Sequence, residues 1–590
     1  MRELPHQFYQ NQKKVFEVQL QNIQKRLLVF SSLRTLTFFI SVFCLYYFIG
    51  DVQAMLLAAG FGTLSFLVFL QRYLFFKRTK EEVQILVALN VKELAALDGA
   101  YANFKNGTEH KEAEHAYAND IDLFGLGSFF QYVNRTVTEA GERYLVSLLK
   151  ANDTCEVVSK QEAIRELSQK TEWRQQFSMK ASRVKTEVSP ETILQWMCSY
   201  QSIFVSSFGI FSKCFSGVSI LLIAGLLTGY VSFSYLLLWY FLGLFISGAY
   251  VKKVTKLQHK AGKSSTTFEQ YYKSLEVLEK MHFSSELLHQ KHAMLYKDGI
   301  AVSKLFKELS KALDALDQRY NLLFAFFANG LFLWDIQQSV KIEKWISLYK
   351  DEVANWFSVL SFFDAYNSLG NFSFNHPDFK CPKISQEEVV FQAKDLGHPL
   401  LNASKRVTSD FSIDRQGFFV VTGANMAGKS TFLRTVSLTI VMANLGLPVC
   451  STDMRYHPVK LLTSMRTSDS LMEDASYFFA ELKRLKFIVD QLQKSNYFIV
   501  LDEILKGTNS TDKAIGSKKF VEKLLKTKAT GVIATHDLSL CEIESNYPQV
   551  ENYYFDATIA DDELYFDYKL KKGVCQNMNA SYLLRKMEIV

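Results

Sequence analysis

The chain has 590 residues, of which 48% are apolar and 49 are phenylalanine, and its formal net charge is +7. This length exceeds one domain, and the apolar content is high for a soluble protein. The eight cysteines are scattered without a Cys-x-x-Cys pair, which argues against a disulfide framework and a zinc site. The charge excess is too small to distinguish a nucleic acid from an anionic lipid surface as a partner.

The N-terminal end is predicted to combine a polar cytoplasmic helix, residues 1–31, with a first transmembrane hairpin, residues 32–76. No charged side chain lies between Arg34 and Asp51 or between Asp51 and Arg72, and a spanning helix needs about 20 apolar residues. Basic residues flank this stretch on both sides, which indicates that its ends lie in the cytoplasm. A buried helical hairpin in a soluble protein is the alternative interpretation.

A second transmembrane hairpin is predicted in residues 201–251, after a mostly helical region in residues 77–200. No residue from Cys214 to Val251 is charged. This stretch is long enough for two short helices joined by a turn at Thr228–Tyr230. Lysines precede and follow it, so the positive-inside rule again places both termini and the long segments in the cytoplasm.

The remaining chain changes character near residue 381. Residues 252–380 are predicted to continue the helical region, because Leu, Phe and Ala recur at helical spacing, for example from Val302 to Leu323. In residues 381–590, short β-rich runs alternate with helical stretches. These runs include Phe418–Val421, Tyr497–Leu501 and Gly531–Ala534. The alternation predicts an α/β domain with a parallel sheet and crossover helices.

The first of these strands runs directly into a glycine-rich loop and a helical stretch, which is the context of a P-loop. The loop and the start of the helix are Gly423, Ala424, Asn425, Met426, Ala427, Gly428, Lys429, Ser430 and Thr431. Backbone N–H groups of such a loop, with the N-terminus of the helix, bind phosphates. We therefore predict a P-loop NTPase that binds ATP, in which Lys429 neutralises the β- and γ-phosphates and Ser430 offers its hydroxyl to Mg²⁺.

Two further strands end in residues suited to ATP hydrolysis. One ends in Asp502 and Glu503. We predict that Asp502 holds Mg²⁺, directly or through water, and that Glu503 polarises the attacking water as general base. The next strand ends at His536, within reach of a γ-phosphate. The predicted catalytic residues are thus Glu503, His536 and Lys429, and the predicted metal ligands are Ser430 and Asp502.

The order of these motifs resembles the MutS family of DNA mismatch repair ATPases, a branch of the ABC-type nucleotide-binding fold. Asn425 and Met426 inside the P-loop carry the resemblance, together with the Asp-Glu pair and Ala534-Thr535-His536. Ser476 lies in a segment similar to the family's signature, whose serine reaches the γ-phosphate of the opposite protomer. Gly507-Thr-Asn-Ser510 is similar to the loop that crosses the dimer interface. The resemblance implies an all-α lever-like region before an ABC-type ATPase domain, and a homodimer formed through that domain.

The chain also departs from the family's pattern. The first hairpin occupies the end at which the family carries its mismatch-reading domain, so we expect that domain to be absent. Asp474 stands where the signature has a glycine. The aromatic residue that the family uses for adenine stacking, a little upstream of the P-loop, is not evident around Arg406-Val407, and Tyr568 on a late strand is the candidate in its place. An ordinary exposed strand tyrosine is the alternative interpretation of Tyr568.

The resulting hypothesis is a multi-pass protein of the bacterial inner membrane with a cytoplasmic ATPase domain, in which ATP closes a dimer and hydrolysis reopens it. The resemblance implies duplex DNA as a partner, and contact without mismatch specificity stays open. Two other classes also stay open, a membrane scaffold switched by ATP and a transport ATPase. Equal ATP and ADP occupancy without turnover would favour the scaffold, and substrate-stimulated hydrolysis in vesicles would favour the transporter.

Overall fold

A computed structural model describes residues 4–183, 188–205, 207–262, 264–385, 389–424, 426–466, 477–560 and 563–576. The elements before the C-terminal domain are α1 (Pro5–Tyr47), α2 (Val52–Leu97), α3 (Phe129–Val133), α4 (Glu139–Lys150), α5 (Val157–Gln169), α6 (Thr171–Ser182), α7 (Pro190–Cys198), α8 (Ser207–Leu227), α9 (Phe233–Gly262), α10 (Ser265–Glu279), α11 (Glu286–Ala293), β1 (Tyr296–Lys297), β2 (Ile300–Ala301), α12 (Val302–Asp317), α13 (Leu322–Phe332), α14 (Trp334–Tyr349) and α15 (Val353–Asn375). The elements of the C-terminal domain are β3 (Lys383–Ile384), β4 (Val389–Leu396), β5 (Ser409–Asp414), β6 (Phe418–Gly423), α16 (Lys429–Asn444), β7 (Asp453–Tyr456), β8 (Lys460–Ser464), α17 (Tyr477–Leu492), β9 (Tyr497–Asp502), α18 (Ser510–Lys526), β10 (Thr530–Ala534), β11 (Val550–Ala560) and β12 (Glu563–Lys572).

The first two helices form a long antiparallel hairpin. Asp51 begins α2, because its carboxylate accepts hydrogen bonds from the N–H groups of Gln53 and Ala54. The helices have 43 and 46 residues, so each is roughly 65–70 Å long at about 1.5 Å per residue. The predicted polar N-terminal helix is therefore continuous with the first apolar segment. Apolar side chains near the turn, such as Phe43 and Phe61, are exposed.

The second hairpin consists of α8 and α9. They are separated at Thr228–Ser232, where Gly229 adopts a left-handed φ of +80° that favours glycine. This confirms the predicted turn. By length and composition, α1, α2, α8 and α9 could each cross a membrane.

The other helices form the body between the hairpins and the C-terminal domain. The carboxylate of Asp364 on α15 accepts hydrogen bonds from the N–H groups of Val137 and Thr138 at the start of α4. A Cβ on Gly141 would lie 2.2 Å from Asp364 Oδ2, so only glycine permits this approach. Helix α15 is buried along most of its length, and the chain passes from it directly into the C-terminal domain.

The C-terminal domain is built on a six-stranded sheet in the order β12-β11-β6-β10-β9-β8. Every pair in it is parallel except β11 with β12, which confirms the predicted parallel sheet. A four-stranded sheet in the order β3-β7-β4-β5 completes the domain's described strands. Because β6, β10 and β9 are adjacent and parallel, the segments that follow their carboxyl ends meet at one edge of the sheet.

Candidate active site

The P-loop follows β6 with the backbone conformations that its glycines permit. Gly423 and Gly428 have φ values of 144° and 109°, which favour glycine. A Cβ on Gly423 would also lie 2.6 Å from the carbonyl oxygen of Phe555. Met426 is left-handed as well and exposes its side chain, whereas Ala427 is buried. The predicted ligand-binding residue Asn425 lies outside the described residues.

The Lys429 side chain is buried inside the loop. Its Nζ donates hydrogen bonds to the carbonyl oxygens of Gly423 at 2.7 Å and Ala424 at 2.8 Å. Burial lowers the pKa of Lys429, and the carboxylates of Asp502 and Glu503 oppose this effect. The ammonium group therefore lies where it can neutralise a phosphate that the loop binds.

Ser430 and Asp502 meet between the first turn of α16 and the end of β9. Ser430 Oγ donates a hydrogen bond to Asp502 Oδ2 at 2.8 Å. A hydroxyl and a carboxylate oxygen in contact fit Mg²⁺, which prefers oxygen ligands. Thr431 follows with an exposed side chain, and its carbonyl oxygen accepts a hydrogen bond from Thr435.

Glu503 lies immediately beyond β9, in a left-handed conformation with φ 52°. Its N–H donates to the carbonyl oxygen of Ala534 at 2.9 Å, which ties it to the end of β10. Its carboxylate oxygens lie 3.4 Å from Lys506 Nζ and 3.6 Å from Lys513 Nζ. Partial burial alone would raise the pKa of Glu503, but the two ammonium groups outweigh it and the pKa lies below its ordinary value.

His536 lies just after β10 and is half-buried. Burial lowers its pKa, the charge of Lys429 lowers it further, and the carboxylates of Glu503 and Asp502 oppose the shift. Burial thus favours the neutral form of the imidazole. The structure thus brings Lys429, Ser430, Asp502, Glu503 and His536 together at one edge of the sheet.

Tyr568 on β12 lies beside the P-loop. Its Cδ1 is 3.2 Å from the position that a Cβ on Gly428 would occupy. Its ring is 5.8 Å from that of Phe566 and is 45% exposed. An exposed aromatic face at the P-loop is available to a nucleotide, so Tyr568 stays a candidate ligand-binding residue.

The start of α17 holds the segment that follows Glu503. The Glu481 carboxylate accepts hydrogen bonds from the N–H groups of Leu505 at 2.6 Å and Lys506 at 3.0 Å. A Cβ on Gly507 would lie 2.8 Å from Phe478 Cβ. The predicted signature residue Ser476 and its neighbour Asp474 lie outside the described residues.

Sequence reasoning did not assign roles to three residues of this site, Glu481, Lys506 and Lys513. Glu481 lies in the signature-like segment that begins at Ser476, but no motif or spacing marks Lys506 or Lys513. Their positions follow from the packing of α17 and α18 against the end of β9.

Comparison with known proteins places this region in a recognised domain type. Residues 419–588 match the model of MutS domain V. Over 204 residues the chain is 33% identical to "MutS protein homolog 4" of Homo sapiens, covering 32% of this chain and 21% of that protein. Over 272 residues it is 28% identical to "DNA mismatch repair protein MutS" of Finegoldia magna, covering 45% and 30%. The protein of the same name from Protochlamydia amoebophila is 29% identical over 238 residues, covering 39% and 27%. The matches thus span less than a third of the length of these relatives.

Proposed function

We propose that this chain is a membrane-anchored MutS-type ATPase that works as a homodimer. The observation that carries the proposal is the contact between Ser430 and Asp502, flanked by Lys429 and Glu503. These four residues occupy one sheet edge inside the region that matches MutS domain V. A P-loop helix joined to an acidic strand end in this way fits a nucleotide phosphate with its magnesium ion.

Each residue of the site has a distinct part in the proposed hydrolysis. Lys429 neutralises the phosphate charge, and Ser430 and Asp502 hold Mg²⁺. When bound, the ion stabilises negative charge on the phosphate oxygens. The Glu503 carboxylate orients the attacking water and accepts its proton. His536 donates a hydrogen bond from its ring N–H to the γ-phosphate.

The two hairpins supply the proposed membrane anchor. Among the described residues, four helices are long and apolar enough to cross a bilayer, and little of their most apolar segments is buried inside the protein. Exposed apolar surface of this extent is typical of a membrane contact. With lysines and arginines outside the first hairpin and lysines outside the second, the ATPase domain lies on the cytoplasmic side of a multi-pass protein.

The proposed dimer forms through the ATPase domains. The segment Gly507–Ser510 lies at the surface beside Glu503, held by α17. In the proposed closed state, Ser476 of the partner subunit approaches the γ-phosphate, and hydrolysis through Glu503 releases the two domains.

The names of the relatives from Finegoldia magna and Protochlamydia amoebophila support a second proposal, contact with duplex DNA. We propose in addition that this contact has no mismatch specificity. Binding would then rest on phosphate contacts, and its affinity would fall steeply with salt. Equal affinity for matched and mismatched duplexes, with a steep salt dependence, is the expected result. Absence of binding at low salt would contradict this second proposal alone.

The ATPase proposal is tested by ATP turnover of the full chain reconstituted in liposomes. Glu503→Gln is expected to lower kcat roughly 100-fold or more, because the general base is lost, and Lys429→Ala is expected to abolish turnover. Glu542→Gln is the matched control, since Glu542 is an exposed partner of Lys518 away from the site. If Glu503→Gln hydrolysed ATP at the parent rate, Glu503 would not be the general base.

A further inference from the structure

Helix α13 is apolar but is not one of the four candidate membrane spans. It has 11 residues and includes no charged side chain, which is too short for a crossing that needs about 20 residues. One of its faces is apolar and open. The exposed residues of this face are Leu322, Leu323, Phe326 and Phe327. A helix facing water normally carries polar residues on its exposed side.

Helix α13 runs antiparallel to α9 at close range. Near its start, Gln258 Nε2 donates to Tyr320 Oη at 2.7 Å. Near its end, a Cβ on Gly243 would lie 2.1 Å from the carbonyl oxygen of Gly330. Small residues that let two backbones touch in this way are typical of helix packing in membranes.

These contacts fix how far α13 extends along the second hairpin. Lys252 marks the cytoplasmic end of the uncharged stretch of α9. At about 1.5 Å per residue, Gly243 lies roughly 14 Å inside Lys252. On α8, Ser216 and Ser219, which contact the end of α13, lie only about 5–9 Å inside Lys213, the lysine at the other end of the hairpin. Gln258 lies outside Lys252. Helix α13 therefore begins on the cytoplasmic side and ends within the cytoplasmic half of the bilayer.

Side chains donate hydrogen bonds to the last carbonyl oxygens of α13. Ser219 Oγ on α8 donates to the carbonyl oxygen of Leu331 at 2.5 Å. Ser216 Oγ and Gln337 Nε2 donate to that of Phe332 at 3.1 and 2.8 Å. Carbonyls at a helix end have no partner within the helix, and in hydrocarbon side chains must satisfy them. Leu333, at φ 49°, then turns the chain back into α14.

The charges next to α13 are paired with each other. Arg319 precedes the helix and Asp335 follows it, and their side chains meet at 3.2 Å with about a tenth of each exposed. Pairing removes the cost of an isolated charge near lipid.

The geometry points to α13 as a re-entrant helix that enters the bilayer from the cytoplasmic side, with Leu322, Leu323, Phe326 and Phe327 against lipid acyl chains. This inference rests on the proposed anchoring by the second hairpin. Continuity of the exposed face with that hairpin favours lipid over a protein as the occupant.

The test compares three single cysteines in full-length protein reconstituted in liposomes. The background replaces the exposed and half-buried native cysteines by alanine, namely Cys44, Cys155, Cys198, Cys214 and Cys381. The test position is Phe326→Cys. The lipid reference is Leu238→Cys, exposed on α9, and the aqueous reference is Val158→Cys, exposed on α5. A membrane-impermeant maleimide measures access from water. In parallel, each cysteine is labelled with a fluorophore in detergent before reconstitution, and lipids with acyl-chain nitroxides measure contact with hydrocarbon.

We expect loss of maleimide labelling at positions 326 and 238, full labelling at position 158, and nitroxide quenching at position 326 as at position 238. Labelling at 326 with protection at 238 would overturn the re-entrant helix and leave the anchor standing. Protection at 326 without quenching would assign the face to a protein surface and also overturn it. Labelling at both 326 and 238 would overturn the anchor as well. Parent ATP turnover in each variant confirms that it is folded.

Discussion

Glu503 is held between two ammonium groups. Lys506 follows it in the loop, and Lys513 approaches it from α18. They keep the carboxylate ionised, so a proton acceptor is ready at neutral pH. They also hold its oxygens, so one ion pair must loosen before the carboxylate can bind water beside a phosphate.

Lys513→Met should move the acidic limb of the pH–kcat profile to higher pH. Activity on that limb is lost as Glu503 becomes protonated, and Lys513 lowers the pKa of Glu503. Removing the ammonium group raises that pKa, so activity is lost at a higher pH as the pH falls. Steady-state ATP turnover across pH measures the shift. Lys519→Met, an exposed lysine on the same helix, is the control. If the acidic limbs of the pH–kcat profiles of Lys513→Met and the parent coincided, Lys513 would not lower the pKa of Glu503.

Tyr568→Ala should raise the KM for ATP with little change in kcat, because the ring lies beside the P-loop and not among the carboxylates. Loss of an aromatic contact of about 0.5–1.5 kcal/mol corresponds to a roughly two- to tenfold rise. Tyr568→Phe should restore the parent value. Tyr565→Ala, which removes an exposed tyrosine from the same strand, is the control. An unchanged KM for Tyr568→Ala would make this residue an ordinary strand tyrosine.

The sequence predicts the local part of the site well. Strand, loop and helix around Lys429 are contiguous, and Asp502 and His536 follow buried strands whose parallel pairing can be anticipated. The contacts of Glu503 with Lys513 and of Glu481 with the N–H of Leu505 could not be predicted, because they depend on how α17 and α18 pack.

At the scale of elements, a buried polar network joins the first hairpin to α15. Tyr9 on α1 donates to Asn375 Oδ1 at 2.8 Å. Glu93 on α2 accepts from the side-chain amides of Asn371 and Asn375 at 2.9 Å and pairs with Arg135. Both helices of the hairpin are thus bound to the helix that leads into the ATPase domain.

Glu93→Gln should destabilise the protein by about 3 kcal/mol or more, because it leaves the buried guanidinium of Arg135 without its charge partner. Denaturant unfolding in detergent, followed by tryptophan fluorescence, measures the loss. Glu191→Gln removes an exposed partner of Arg143 and should cost less than about 1 kcal/mol. Equal losses for the two variants would contradict a special role for the network.

The lengths of the apolar helices explain why the four long ones could be predicted from the sequence and why α13 could not. The uncharged stretches predict four spans, and the part of the chain that the structure describes contains four helices that are long and apolar enough. Helix α13 is too short for the length criterion of a span, and the helical pattern from Val302 to Leu323 runs across the break after Asp317. Its place beside α9 depends on Gly243 and Gly330, which are far apart in sequence.

At the scale of the whole molecule, one helical body connects the proposed nucleotide site to the two apolar hairpins. The site occupies the edge of the C-terminal sheet, α15 links that domain to the body, and both hairpins project apolar surface from the body. Closure of two ATPase domains around ATP would therefore move α15, which links each domain to the helical body, and through it the hairpins.

The most direct test of this account is the ATP-dependent mass of purified Glu503→Gln protein in detergent, determined by light scattering with the detergent contribution subtracted. With ATP and Mg²⁺ the variant should become a stable dimer, because it binds ATP without hydrolysing it. With ADP it should remain a monomer, and Lys429→Ala should remain a monomer in both. A protein mass that ATP leaves unchanged, in a Glu503→Gln sample shown to bind ATP, would contradict the nucleotide-driven dimer.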